Sequence, residues 1–389
     1  MRVVIIGGGV IGSAIACFTL ANPRFRGSVQ VIERDPTYSR ASSALSASSI
    51  RQQFSSAINI EIGLYGIEFL REVASHLGIE GEPAPDIGLT EPGYLFLASL
   101  RGAEQMRENH KVQRAHGACI ELLDPAGLKG RFPWINVDDL ALGAHGVSGE
   151  GWFDGYSLLQ AFRMKAKALG AQYLFAEATG FELGGGSIRS VRLGDSSLVQ
   201  ADLVVNAAGP WAARVAAWAE IPLPVRARRR TVFVFETPEP IPSCPLVIDP
   251  GGVYFRPEGN QFICGVSPDP QNDPDEPILE PDYALFEERI WPALANRVPA
   301  FQTLRQTRAW AGYYEMNLFD ANGIVGAHPD LENLIFASGF SGHGLQQSPA
   351  VGRAISELIV HGSFCSLDLS PLGFERIIRN QPLLERSIV

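Results

Sequence analysis

Arg2-Val3-Val4-Ile5-Ile6-Gly7-Gly8-Gly9-Val10-Ile11-Gly12 opens the chain and decides its fold. The run Arg2–Ile6 is short, apolar and rich in β-branched residues, which predicts a buried parallel strand. Three glycines follow at once, and Ser13 to Ala21 continues as a helix of small residues. Ser28-Val29-Gln30-Val31-Ile32 predicts a second strand, which ends in Glu33. Strand, glycine turn, helix, strand and acid in that order supply the context of a dinucleotide fingerprint. Gly7 makes the tight turn, Gly9 lets the backbone approach a pyrophosphate, and Gly12 permits close helix–strand packing. Val10 and Ile11 open the helix, whose free N–H groups and positive dipole end face the phosphates. Glu33 stands about twenty residues beyond Gly12, where a carboxylate accepts from ribose hydroxyls. The motif suits FAD and NAD alike.

The rest of the chain bounds the answer. At 389 residues it exceeds what one core usually serves, so two domains are expected. Hydrophobic residues make up 46% and charged residues 19%, the balance of a globular enzyme. A formal charge of −10 argues against nucleic acid or an anionic membrane as partner. The basic cluster Arg226, Arg228, Arg229 and Arg230 reads as solvated arginines leading into the strand Thr231–Phe235. The cysteines Cys17, Cys119, Cys244, Cys264 and Cys365 are scattered, odd in number and without CxxC spacing. No disulfide framework and no metal site are expected, and a reducing compartment suits them. Val3 to Ala21 is uncharged, but glycines interrupt it too often for a membrane span. A soluble, cytoplasmic protein is expected.

Beyond Arg34 the texture alternates. Ser39 to Ser49 is rich in Ser and Ala, either a plain flexible loop or a segment threading close to phosphates and a ring system. A helix is predicted over Asn59–Leu77, a hairpin over Leu89–Leu97, a polar helix over Gly102–Gly117, and another helix over Tyr156–Leu169. Gln172–Phe175 and Asp202–Asn206 predict strands that rejoin the first sheet, with a hairpin over Arg189–Leu198 between them. From Pro222 to Trp310 strands and prolines dominate, with an acidic loop Asp269–Glu276 and one helix, Asp282–Ala295. Asn333–Ala337 then predicts a buried strand, Gly339-Phe340-Ser341-Gly342-His343-Gly344 a second Gly-rich turn, and Ser348–Val360 a helix. The fold class is α/β: a discontinuous Rossmann-like cofactor domain (1–80, 140–220 and 320–389) with an antiparallel β-sheet substrate domain (81–139 and 221–319).

Val3–Arg34, Ser43–Phe54, Leu203–Trp211, Trp310–Gly326 and Phe336–Leu358 together resemble the D-amino acid oxidase superfamily of flavoproteins. The branch of sarcosine oxidase, dimethylglycine dehydrogenase and glycine oxidase is the most similar. Ala309–Glu315, Phe319–Gly326 and Gly339–Pro349 resemble a subgroup of mitochondrial FAD-dependent oxidoreductase-domain proteins associated with respiratory complex I assembly. The resemblance implies non-covalent FAD, extended, with its flavin between the two domains. Glu33 and Arg34 would hold the adenosine ribose, and Ser42, Ser43, Ser48 and Ser49 would line the pyrophosphate and flavin. Ala178 would meet the adenine through its backbone, while Ala208, Gly209 and Trp211 belong to the second cofactor strand. Gly342, His343, Gly344, Leu345 and Gln346 would reach the flavin pyrimidine edge, with Gly339 and Gly312 in the same set. A Gly-rich turn ahead of a helix aims N–H groups and a positive dipole end at the charge a flavin gathers on reduction.

The chemistry implied is oxidation of the C–N bond of an amino acid or N-substituted amino acid, by hydride transfer to flavin N5. The cofactor carries the reaction, so the protein must mainly position a carboxylate and exclude water. No Ser-His-Asp or paired-carboxylate constellation stands out. A buried arginine is the natural clamp, because its fork binds both carboxylate oxygens. Arg51 matches the substrate-carboxylate arginine of sarcosine oxidases, and Arg256 is a second candidate. Tyr254 and Tyr313 would be aromatic walls. His343 is either catalytic or satisfied by local hydrogen bonds.

Three departures stand against the sarcosine oxidases. Ala311 replaces their flavin-linking cysteine, Gln346 a lysine at the substrate carboxylate, and Ile263 the oxygen-activating lysine. A dehydrogenase or slow oxidase is therefore expected, with O2, a quinone or another protein left open as electron acceptor. Two alternatives stay open: the catalytic subunit of a hetero-oligomeric, respiratory-linked amine or opine dehydrogenase with partner subunits, and a flavin-containing assembly factor.

Overall fold

The opening strand sits near the middle of a six-stranded sheet in the computed structural model, which describes residues 1–386. The strand order is Ile324–His328, Leu331–Ser338, Leu203–Asn206, Arg2–Ile6, Ser28–Glu33, Gln172–Phe175. All pairs are parallel except the one at the Ile324–His328 edge. Alternation explains why Val3–Ile6 is apolar throughout. Val3 and Ile5 enter the core under helices Val10–Ala21, Gly155–Ala168 and Gly344–His361. Val4 and Ile6 enter the core on the other face, under Ala212–Ala217 and a three-stranded meander. A parallel sheet covered on both faces needs apolar residues at odd and even positions alike.

That meander (Ala178–Gly184, Ser187–Leu193, Leu198–Gln200) is one strand larger than the hairpin expected over Arg189–Leu198. Gly185 and Gly186, both at positive φ, make its first turn. The expected Asn59–Leu77 helix breaks at Glu72 into Ala57–Arg71 and Val73–Leu77.

A second sheet of eight strands lies beyond the first. Its order is Arg305–Asn317, Val225–Glu236, Gln261–Gly265, Tyr254–Glu258, Leu246–Ile248, Tyr94–Ala98, Leu142–Gly146, Ile120–Leu123. Tyr94–Ala98 is not one arm of a local hairpin. It is buried along its length, pairs antiparallel with Leu142–Gly146 and parallel with Leu246–Ile248, and is thus a central strand. Leu142–Gly146 consequently belongs to this sheet, although the expected boundary at 140 assigns it to the cofactor domain. The helix expected over Asp282–Ala295 is three pieces, with a π-turn at Phe286–Ile290 ahead of Trp291–Arg297. Pro292 has no N–H to donate to the preceding turn, which favours that local widening.

Val225–Glu236 and Arg305–Asn317 pair over their whole length, from Val225 opposite Asn317 to Glu236 opposite Arg305. The Glu315–Asn317 end of this ribbon reaches the first sheet and touches the turn that follows Leu331–Ser338. Among the described residues no helix is long and apolar enough to cross a membrane.

Candidate functional site

A cavity of about 570 Å³ runs from the Gly7 turn, between the two sheets, to Arg51, Tyr94 and Tyr254. Its first end is made of backbone. Gly7 has φ +102°, and a Cβ there would lie 2.2 Å from the Ala207 carbonyl oxygen. At Gly12 a Cβ would lie 1.9 Å from the Gly7 oxygen, so only hydrogen fits between helix and strand. Gly12 accordingly packs behind the cavity wall. Gly9 differs: an added Cβ would meet only Ser43 Oγ at 3.5 Å, because its open side faces the cavity. The Val10–Ala21 helix has no side-chain cap, which leaves first-turn N–H groups for an anion. Val10 N–H donates to Ser43 Oγ at 3.2 Å, and the buried Ser42 hydroxyl has no partner. The Glu33 carboxylate is oriented by the N–H groups of Gly8 and Asp35, both at 2.8 Å. Arg34 does not turn to a carboxylate. Its guanidinium lies over the Trp211 ring at 3.8 Å, and Trp211 meets Tyr313 edge-on at 5.2 Å.

The second Gly-rich turn is built from outside itself. Ser341 N–H donates to the Glu315 carbonyl at 3.0 Å, Gly339 N–H to Glu315 Oε2 at 3.0 Å, and Asn317 N–H to Ser341 Oγ at 3.0 Å. The Tyr314 hydroxyl donates to the Ser341 carbonyl. Gly342 must be glycine: at φ +87° a Cβ would sit 2.2 Å from the Tyr314 hydroxyl. The turn launches Gly344–His361, a helix four residues longer at its start than Ser348–Val360, with His343 at its N-cap position and no side-chain cap.

Arg51 closes the far end. Its backbone N–H donates to Gln346 Oε1 at 2.8 Å, so Gln346, itself on the cavity wall, steers the Arg51 backbone. The guanidinium donates to the Gln53 carbonyl and lies 3.1 Å from His343 Nε2. Phe54 and Phe96 stack on it at 4.1 and 5.2 Å. Burial and the adjacent guanidinium push the His343 pKa down to about 3. A neutral imidazole with its Nε2 lone pair toward Arg51 is the consistent state. Beneath this loop, Glu150 is fully buried and accepts from Gln52 N–H at 2.7 Å and Gln53 Nε2 at 2.8 Å. Burial pushes its pKa up to about 7.

Of the residues expected at the site, Gly12, Gly339 and Arg256 do not reach the cavity wall and all others do. Gly12 and Gly339 act through close packing. Arg256 is 4% exposed, donates to the Ala47 carbonyl at 2.7 Å, pairs with Glu258 and stacks on Trp152. It fixes the Ala47 backbone and is not a clamp in the pocket. Tyr254 and Tyr313 both line the cavity, and Tyr313 donates to the Pro277 carbonyl at 3.1 Å, outside the reacting end. Sequence reasoning missed Tyr94, Phe96, Glu150, Tyr314 and Glu315. Tyr314-Glu315 lies in a stretch already singled out, and its signal was an acid placed on an apolar strand.

Residues 2–358 match the family model described as DAO: FAD dependent oxidoreductase. The chain belongs to that family. Over its full length it is 46% identical to FAD-dependent oxidoreductase domain-containing protein 1 of Xenopus laevis, covering 84% of that protein. It is 27% identical to glycine oxidase of Geobacillus kaustophilus, with 97% of each covered. L-proline dehydrogenase from P. horikoshii superposes with a TM-score of 0.86 at 26% identity, over 98% of each chain. The protein is thus an FAD-dependent oxidoreductase with the fold of those enzymes. Its residues fit the cofactor: the open face of Gly9, the uncapped helix, the orphaned Ser42 hydroxyl and the oriented Glu33 lie along one wall.

Proposed function

We propose that the protein oxidises the C–N bond of an amino acid or N-substituted amino acid whose carboxylate is held by Arg51. One observation carries this reading. Arg51 is a guanidinium at the cavity wall whose partners are neutral, the Gln53 carbonyl and His343 Nε2, and among the described residues no carboxylate pairs with it. Arg230 and Arg256, by contrast, are committed to Asp273 and Glu258. A partly buried cation without a carboxylate partner is stabilised by an anionic ligand, and its fork suits a carboxylate.

FAD supplies the chemistry when bound, by accepting a hydride from the substrate carbon next to nitrogen. The chain's own residues do the rest. Neutral His343 holds the guanidinium by accepting from it, and Phe54 and Phe96 fix its plane. Tyr94, Phe96, Leu246, Ile248 and Tyr254 line the same end and exclude water from an apolar or cyclic side chain. Related proteins act on small amino acids by name: sarcosine dehydrogenase of Homo sapiens at 28% identity, and the glycine oxidase above. No lysine and no cysteine line the cavity among the described residues, and Ile263 is buried beside Val232 and Val234. This supports non-covalent FAD and a dehydrogenase or slow oxidase.

The test is anaerobic bleaching of the flavin by a panel of amino acids, N-methyl amino acids and opines. At least one monocarboxylic member is expected to bleach it, and slowly returning colour on admission of air marks a dehydrogenase. If none bleaches a flavin that dithionite reduces, the proposed reaction is wrong.

A further inference from the structure

Glu315 stands where a carboxyl group is hardest to justify as plain architecture. It lies near the end of Arg305–Asn317, and its exposed surface faces the cofactor cavity. Oε2 accepts from Gly339 N–H at 3.0 Å. Oε1 lies 3.3 Å from where a Gly344 side chain would begin, and Oε2 lies 3.8 Å from the equivalent point at Gly209. The carboxyl therefore bridges the two turns that follow adjacent strands of the first sheet, Leu203–Asn206 and Leu331–Ser338. Gly339 N–H is the one hydrogen bond made to the carboxyl among the described residues, and Phe340 N–H lies close enough to favour the ionised form as well, a pull that burial outweighs.

We propose that Glu315 binds FAD in its protonated form, locking the Gly339–Gly344 turn through Oε2 and donating a hydrogen bond from Oε1 to the cofactor. An ionised carboxylate in this position would share the cavity with the negatively charged pyrophosphate of FAD and with a flavin that gathers negative charge on reduction, which Coulomb repulsion disfavours. A neutral acid is a donor instead. Burial already pushes the Glu315 pKa up to about 7. A cofactor filling the cavity removes more water from the group and strengthens that preference. The ionisable groups around it do not oppose this. Tyr314 is its neighbour on the same strand, and Arg226 and Arg228 on the adjoining strand are engaged by Asp275. Arg214, beyond the Gly209 turn, pairs with Glu276, and His343 at the head of the following helix is neutral. Binding thus takes one proton from solvent whenever Glu315 starts ionised.

Glu315 would hold the cofactor in this way whatever the substrate is. Holoenzyme is diluted into buffers from about pH 6 to pH 9, and released FAD is read by its fluorescence. Wild-type affinity should weaken above pH 7, approaching about tenfold per pH unit. Glu315→Gln, a permanent neutral donor, should hold FAD with little pH dependence, and Glu315→Ala should release it more readily throughout. A Glu315→Gln variant that keeps the wild-type pH dependence would overturn the proposal. So would a wild-type affinity that is flat with pH, or a Glu315→Gln variant as weak as Glu315→Ala. Should Glu315→Ala fail to fold, the wild-type and Glu315→Gln profiles decide by themselves.

Discussion

The core of the adenosine end of the cavity comes from one continuous stretch, Arg2–Arg34, with Ser42, Ser43, Ala178 and Trp211 added around it, whereas Arg51, Tyr94, Tyr254, Tyr314 and His343 come to the reacting end from five separate segments. At the first end the binding groups are backbone N–H groups, and the sequence must only avoid side chains. At the second the binding groups are side chains, and each is held by a residue far away in sequence. Gln346 holds the Arg51 backbone across the domain, and Glu150 holds the two residues that follow it. The difference predicts different failures. Damage at the first end should cost the cofactor and the fold together, while damage at the second should cost ligand recognition and leave the flavin in place.

Gly12→Val tests the first half and should have the largest effect. Even the Cβ would lie 1.9 Å from the Gly7 oxygen, with the Ile5 side chain at 3.2 Å, so helix and strand must separate. A loss above about 4 kcal/mol is expected for such overpacking. The measurement is flavin absorbance per chain together with thermal unfolding. A variant that purified with a full complement of FAD would break the comparison at its root.

Arg51→Lys comes next and tests the other half. A lysine keeps the charge but loses the fork, so affinity for a small carboxylate such as benzoate, read from the flavin spectrum, should fall about 10- to 100-fold. That corresponds to the roughly 1.5–3 kcal/mol of a charged hydrogen-bond pair. FAD content should stay at the wild-type level. Arg256→Ala sharpens the contrast: stability should fall by about 1–3 kcal/mol as the Ala47 carbonyl and the Trp152 face lose their partner, with carboxylate affinity unchanged. Equal losses of carboxylate affinity in both variants would show that position in the cavity does not separate the two arginines.

These two arginines also show what was legible in the sequence. Both lie beside strand signals and near aromatic residues, and only half of what distinguishes them is local. The distinction lies in Glu258, two residues from Arg256 on the same strand, and in His343, which reaches Arg51 only through the tertiary fold. Gly7, Gly9 and Gly12 could be read because their roles are enforced within a single strand–turn–helix unit. The parallel strand Leu203–Asn206 could be read because burial on both faces demands a continuous apolar run. Tyr94–Ala98 could not, since apolar residues after a Pro-Gly pair fit a hairpin arm as well as a central strand. Glu150 and Glu315 were hidden for another reason. An acid is ordinarily a surface residue; the place of Glu315 on a strand is a faint signal otherwise, and for Glu150 only the packing around it shows the difference.

Glu150 offers a pH test of the supporting layer beneath Arg51. Its pKa is raised by burial from the ordinary carboxylate value to about 7, so the folded state holds a proton that the unfolded state releases earlier. Its stabilising contribution is therefore complete below about pH 4.5 and is lost as pH rises to about 7. Thermal unfolding of the wild type should weaken across that window relative to Glu150→Gln, by an amount of order 1–3 kcal/mol. Glu315 contributes the same sign in both proteins and cancels from the difference. Parallel profiles for the two proteins would mean that Glu150 is ionised in the fold and acts as a counter-charge to Arg51.

The smallest effect is expected where the two ends touch. The Arg34 guanidinium lies 3.8 Å over Trp211, which meets Tyr313, whose hydroxyl is anchored on the Pro277 carbonyl. This stack joins a residue of the first end to a strand that also carries Tyr314 and Glu315. A cation over an indole at a partly exposed site contributes about 0.5–1 kcal/mol. Arg34→Ala should therefore weaken FAD by about two- to fivefold and shift the Trp211 fluorescence. If the ends are independent, carboxylate affinity at Arg51 stays at the wild-type value, since nothing in the stack contacts the guanidinium clamp. If that affinity falls along with FAD, Arg34 and Trp211 transmit the state of the adenosine end to the reacting end. The cavity would then have to be treated as one coupled site, because loss of a contact at Arg34 would already be a change at Arg51.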